Sequence, residues 1–217
     1  MSKSFRCIAP DIIGFGESDK PKIDYSINGF ADFIHKFLNV LSIKKANVLG
    51  HSMGGTIAIA LSIQSREIID KLILVNPVIK GKDAFSTRVR MLSLPIVRSL
   101  TYLLCKIRTV RRWIAKDIMA RMDDELIDDI ARGGYRPMVG GLISLQNIDF
   151  SRWLKEAVVP ILIVTTDRDK VVRNRQDYIL RDGLCNVTIR TISGAGHCVM
   201  LEAPEKFNRI VEEFLNG

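Results

Sequence analysis

Long apolar runs are missing from this 217-residue sequence, and none reaches the roughly 18 residues of a membrane span. Residues 1–11 contain Lys3 and Arg6 but no apolar stretch of signal-peptide length. Cysteine is sparse and unpaired in pattern. Cys7, Cys105, Cys185 and Cys198 are far apart, form no C-x-x-C and have no histidine partners at zinc-finger spacing. Together these absences predict a cytoplasmic protein in a reducing setting, soluble or peripheral to a membrane. Internal repeats and low-complexity tracts are also lacking. With 47% hydrophobic and 26% charged residues, the composition excludes disordered and collagen-like chains and suits one globular domain with a sizeable core.

The charge is uneven. Of a net +8, residues 80–136 hold thirteen cations against seven anions. Such a cluster suits nucleic acid, an anionic membrane surface or an acidic substrate.

The apolar run at residues 5–10 (FRCIAP) reads as a buried strand leading into the Gly-rich loop DIIGFGESDKP. Residues 27–41 repeat apolar side chains at helical spacing, 47–50 read as a short buried strand, 53–65 as an Ala- and Ile-rich helix and 71–75 as a third strand. Two further strands, 161–165 and 187–192, flank a helical stretch at 173–181, and Pro204 opens a last amphipathic helix to residue 215. Strands alternating with helices predict an α/β fold, a mainly parallel sheet with helices on both faces. The roughly 80 residues between strands 71–75 and 161–165 show helical patterns and no clear strand, so they read as an inserted cap.

Gly50-His51-Ser52-Met53-Gly54 fits G-x-S-x-G where a strand hands over to a helix. A sharp turn there strains the serine backbone, and side chains at Gly50 and Gly54 are expected to collide with neighbouring elements. The turn lifts the Ser52 hydroxyl clear of the sheet and aims the Met53 N–H at an oxyanion forming beside it. The bland alternative is a capping serine in a Gly-rich turn.

A serine hydroxyl needs a base with a pKa near 7 within reach. Of His35, His51 and His197, the first lies inside an early helix and the second adjoins the serine facing away, so both read as structural. His197 follows the last strand on the loop Ser193-Gly-Ala-Gly-His197, a position suited to a catalytic base. The carboxylate that orients such a base is expected from a neighbouring strand end. Asp167 and Asp169 both follow strand 161–165, and Asp169 is the preferred of the two. The chain order Ser…Asp…His accords with this choice.

The stretches APDIIGFGESDKP, VLGHSMGGTIAIALS, PILIVTTDRDKVV and SGAGHCVMLEAPEKFNRIVEEFL resemble the α/β-hydrolase superfamily, in its capped branch of esterases, lipases and carbon–carbon hydrolases. The resemblance spans nearly the whole chain outside the insert. It implies Ser52 as nucleophile, His197 as base and Asp169 as acid in a G-x-x-D-x-x-V pattern, with Thr166 standing where the glycine is usual. A serine nucleophile disfavours dehalogenases and epoxide hydrolases, which attack with a carboxylate. No metal or organic cofactor is implied, and the partner expected is a small-molecule acyl substrate. The division expected is residues 1–78 and 156–217 for the core and 79–155 for the helical cap.

Proteins of this kind carry three strands before the equivalent of residues 5–10, the third ending in a loop that supplies a second oxyanion donor. The sequence starts too late to contain those three strands, which predicts a gap in the sheet between strands 5–10 and 47–50 and weak catalysis. Two classes of function follow: a serine ester hydrolase, or an impaired homologue retaining its residues, with carbon–carbon cleavage as the alternative chemistry.

Within the insert, residues 96–116 read as one basic amphipathic helix, with Ile96, Leu100, Leu103, Leu104, Ile107, Val110 and Ile114 on the apolar side. Either that side packs over the active site with solvated cations outside, or the helix docks on an anionic lipid surface. Nucleic acid is disfavoured, since no aromatic interleaving or binding motif accompanies the charge.

Overall fold

The computed structural model describes residues 4–85, 91, 94–118, 127–128, 131–172 and 184–217. The helical stretch expected at 173–181 lies outside the described residues.

Among the described residues, four strands form one parallel sheet in the order β1 (Ala46–His51), β2 (Ile69–Val75), β3 (Ile161–Thr166) and β4 (Val187–Ile192). A strand segment buried on both faces must be apolar, and β2 from Leu72 to Val75 and β3 from Ile161 to Val164 are. Their alternation divides the core. Leu72, Leu74, Ile161 and Ile163 point into one cluster, while Ile73, Val75, Leu162 and Val164 point into the other.

Helices α1 (Ile27–Val40) and α2 (Met53–Gln64) cover the first face, contributing Phe30, Ile59 and Leu61. Ser26 caps α1, its hydroxyl accepting the Gly29 N–H. The short α8 (Val199–Glu202) and the C-terminal α9 (Pro204–Asn216) cover the second face through Val199, Phe207 and Val211. Lys71 of β2 donates to the carbonyls of Phe214 and Leu215, satisfying groups the last turn of α9 leaves open. No helix among the described residues is long and apolar enough to cross a membrane.

Between β2 and β3 run α3 (Gly81–Ala84), α4 (Pro95–Leu104), α5 (Arg108–Ile118), α6 (Tyr135–Asn147) and α7 (Ser151–Glu156). Helix α6 lies close to the start of α2: a Cβ on Gly141 would meet the Met53 sulfur at 2.8 Å.

Three expectations need correction. Residues 5–10 form no strand, and beyond the half-buried Phe5 they are exposed. An extended segment with no neighbour has no ladder for its N–H and C=O groups, so it stays with water. Among the described residues the sheet therefore has no internal gap and β1 is its first strand, with Leu49 43% exposed. Second, residues 96–116 are two helices. The Arg111 guanidinium donates to the carbonyls of Cys105 and Lys106, giving the end of α4 polar partners that replace a continued helix. Third, the apolar side of α4 faces solvent instead of packing on the core.

Candidate active site

All four strands are parallel, so their C-terminal ends share one edge, where open α/β sheets place their sites. Ser52 follows β1, Asn76 follows β2, Asp167 and Asp169 follow β3, and the loop 193–198 follows β4.

Ser52 has φ 53° and ψ −120°, a left-handed backbone that a non-glycine residue adopts only when its surroundings enforce it. The Ser52 N–H donates to Val75 O at 2.8 Å, and Thr56 N–H donates to Ser52 O at 3.2 Å, which pin the residue between strand and helix. Although Ser52 occupies the N-cap position of α2, its side chain makes no capping hydrogen bond. The hydroxyl is therefore not spent on holding the helix. Met53 opens α2, so its N–H is among those a helix cannot satisfy internally.

The glycine argument holds at one position and fails at the other. A Cβ on Gly50 would lie 2.3 Å from Gly54 O, whereas a Cβ on Gly54 would meet nothing within 4 Å. The second tight glycine is Gly55, where a Cβ would sit 3.0 Å from Gly50 O and 3.1 Å from the Pro77 Cβ.

His197 and Asp169 are brought together. His197 Nδ1 donates to Asp169 Oδ2 at 2.8 Å, with both side chains buried. Asp169 Oδ1 accepts the N–H groups of Val171 at 2.8 Å and Val172 at 3.0 Å, which fixes the carboxylate's orientation. With Nδ1 carrying the proton, neutral His197 keeps a lone pair on Nε2. That atom is buried and has no hydrogen-bond partner among the described residues. An orphaned buried nitrogen costs about 1–3 kcal/mol and calls for a reason.

Asp167, the other carboxylate considered, accepts the Gly194 N–H at 2.7 Å and is a brace for the His197 loop. Thr166, which departs from the usual glycine, donates from its hydroxyl to Gly196 O at 2.9 Å. Glu202 accepts the Gly196 N–H at 2.9 Å. Asn76 stands at φ 43° and donates through Nδ2 to His197 O at 3.0 Å. Sequence reading missed Asn76 and Glu202, and took Thr166 only as a departure from the usual glycine. The positions of Asn76, immediately after β2, and Thr166, the last residue of β3, were the available signal.

His51 has a structural contact with the His197 backbone. Its Nε2 lies 2.9 Å from His197 O and must carry the proton, because a carbonyl only accepts. Burial, and next the neighbouring His197, push the His51 pKa down to about 4. It is thus a neutral donor at neutral pH. His35 is distant from this cluster in the fold, bonded to Asn39 and Ser65. Cys198 is no rival nucleophile. Burial first, then Glu202 and Asp169, raise its thiol to about 11, so it stays protonated.

A separate groove of about 630 Å³, lined by Ile23, Tyr25, Arg136, Ile143 and Ser144 among others, includes none of Ser52, Asp169 and His197.

Comparison with known proteins agrees with this architecture. The family described as the alpha/beta hydrolase fold matches residues 2–94. A putative carbamate hydrolase of a Caulobacter species is 27% identical over all of this chain and 83% of its own length. A 2-hydroxy-6-oxo-6-(2'-aminophenyl)hexa-2,4-dienoic acid hydrolase of Metapseudomonas resinovorans is 24% identical over all of this chain and 76% of its own. Among solved structures, an esterase from Exiguobacterium antarcticum superposes with a TM-score of 0.76 at 18% identity, covering 94% of this chain and 79% of the esterase.

Proposed function

This α/β-hydrolase-fold chain is, we propose, a serine hydrolase that cleaves carboxylic esters with a lipophilic acyl group. The observation that carries the reading is the buried His197–Asp169 pair with its unpartnered Nε2, at the sheet edge that also bears Ser52 in a strained backbone.

In this reading the Ser52 hydroxyl attacks the ester carbonyl carbon while His197 Nε2 takes its proton. Asp169 stabilises the imidazolium that forms and keeps the proton on Nδ1. The Met53 N–H donates to the developing oxyanion. As the carbon–oxygen bond breaks, the imidazolium protonates the departing alkoxide, leaving an acyl group on Ser52. Water, deprotonated by His197, then attacks that acyl group and frees the acid. Neither a metal nor an organic cofactor takes part in these steps.

Carbon–carbon cleavage is the second reading, favoured by the likeness to the Metapseudomonas hydrolase. It keeps the same three side chains and changes the leaving group from an alkoxide to a carbanion.

The test is labelling of the full chain with a fluorophosphonate, together with turnover of short p-nitrophenyl esters and of a 2-hydroxy-6-oxo-dienoate. Ester turnover that Ser52→Ala and His197→Ala each abolish, non-additively in the double variant, supports the reading. Wild-type turnover in Ser52→Ala would overturn it. Labelling of Ser52 without turnover of either substrate would identify an impaired homologue.

A further inference from the structure

Helix α4 presents its apolar stripe to solvent. Ile96 is 85% exposed, Leu100, Leu103, Leu104 and Ile107 are between 44% and 59% exposed, and Trp113 of α5 is 69% exposed. Ile96, Leu100, Leu103 and Leu104 fall at i, i+4, i+7 and i+8, which is one face of a helix and not scattered surface leucines, and Ile107 follows in the turn to α5. The inward side of α4 is the less apolar one, with half-buried Val97 and Thr101 and, just past the helix end, buried Cys105. An amphipathic helix in a soluble domain normally turns its apolar side to the core, so the reversed orientation asks for an occupant.

The charge around the stripe identifies that occupant. Residues 94–118 contain six cations, Arg98, Lys106, Arg108, Arg111, Arg112 and Lys116, and one anion, Asp117. Two of the arginines serve the chain itself. Arg111 bonds the carbonyls of Cys105, Lys106 and Ala131, and Arg112 pairs with Asp128 at 2.6 Å. Lys106, Arg108 and Lys116 are exposed, and the first two flank Ile107 in the turn between the helices. A second copy of the chain would bring the same positive charge against this face, and a nucleic acid has no use for five aliphatic side chains pointing outward. A bilayer surface bearing anionic headgroups takes both parts: the aliphatic stripe enters the acyl boundary, the lysines and arginines meet the headgroups, and an indole sits between them.

We propose that α4 and the start of α5 form a docking surface for an anionic lipid bilayer. A bilayer is a source of acyl esters for the proposed function, yet docking itself needs no hydrolysis, so its test is independent of the Ser52 assignment.

The experiment is co-sedimentation of the full chain with phosphatidylcholine vesicles, with and without phosphatidylglycerol, and tryptophan emission read in parallel. The expected result is binding to the anionic vesicles at least about tenfold tighter than to the neutral ones, released by raising salt from 0.1 to 0.5 M (chosen to shorten the screening length). A blue shift of emission on binding should vanish in Trp113→Phe, while Trp153 remains. Lys106→Glu with Arg108→Glu should cut binding at least about tenfold, and Leu103→Ser with Ile107→Ser should remove it, with far-UV circular dichroism unchanged in both. Equal affinity for neutral and anionic vesicles, or no binding to either, would overturn the proposal. So would a dimer that forms without vesicles and is broken by Leu103→Ser with Ile107→Ser, since the stripe would then belong to a second copy.

Discussion

The imidazole rings of His51 and His197 lie 4.6 Å apart with their planes at 51°, and the N–H of the first donates to the main-chain carbonyl of the second. The residue before Ser52 thereby holds the backbone of the base proposed to serve it. Asn76 donates to the same carbonyl from the end of β2. Two side chains from adjacent strand ends thus converge on one oxygen of a loop that also receives Thr166, Asp167 and Glu202.

If that bond positions His197, its loss should act on kcat and not on binding. His51→Phe retains an aromatic ring without the donor, and His51→Gln retains a donor of similar reach. The first should lower kcat for a short ester about 10- to 100-fold with KM little changed, as expected for a misplaced base. The second should recover most of the loss. Equal defects in both variants would assign His51 to packing alone.

The same histidine should write a pH dependence into stability. Its folded pKa of about 4 lies below the ordinary 6.5, so between these values the unfolded chain binds the proton and the folded chain does not. The folded state consequently loses stability as pH falls from 6.5 toward 4, by a total of about 3 kcal/mol, and is indifferent to this group above 6.5. Urea denaturation at pH 7 and pH 4.5 should show a steeper fall in the wild type than in His51→Gln. Parallel curves would refute the assignment.

The two aspartates after β3 are expected to separate cleanly. In Asp169→Asn the amide oxygen can still receive Val171 and Val172, which leaves the NH2 facing His197 Nδ1. That nitrogen must then accept, the proton moves to Nε2, and the base is lost; kcat should drop on the order of 10³- to 10⁴-fold. In Asp167→Asn the amide oxygen can still accept the Gly194 N–H, so the loss should stay below about tenfold. A reversal in ester kinetics would make Asp167 the acid.

What the sequence disclosed follows from where its signals are local. Strands β1 to β4 and helices α1, α2 and α9 were legible within one or two residues, because burial on both sheet faces and the one-sided burial of α1 and α9 write short apolar periods into the chain, while α2, buried all round, shows as an Ala- and Ile-rich run. The pairing of His197 with Asp169 was legible because strand ends and loops place them at one edge. Residues 5–10 misled because their composition suits a strand, while a strand exists only through a neighbour that local pattern cannot report. The break at Cys105–Ile107 depends on Arg111 reaching back to two carbonyls, a contact absent from periodicity. His51 and Asn76 were missed because their partner is a main-chain oxygen more than a hundred residues away, which no motif spacing encodes.

The glycines around Ser52 offer a last and opposed pair of outcomes. At Gly50 a methyl group would stand 2.3 Å from the Gly54 carbonyl oxygen, with Gly54 C and Gly55 N also within 2.6 Å. These are main-chain atoms of the first turn of α2 and cannot rotate aside, so relief requires moving the helix start away from β1. Gly50→Ala should therefore destabilise the fold by roughly 2–4 kcal/mol, the range of overpacked cores and enforced backbone shifts, and should suppress Ser52 labelling even where the chain stays folded. At Gly54 a methyl group meets nothing within 4 Å, and the residue lies inside the first turn of a helix. Gly54→Ala removes backbone freedom from the unfolded chain at a position already helical, so stability should rise by about 0.5–1 kcal/mol. Thermal melts of the two variants should move in opposite directions from the wild type. A fall in both would show that the space beside Gly54 is occupied in solution, and would return to Gly54 the steric role that its place in the motif first suggested.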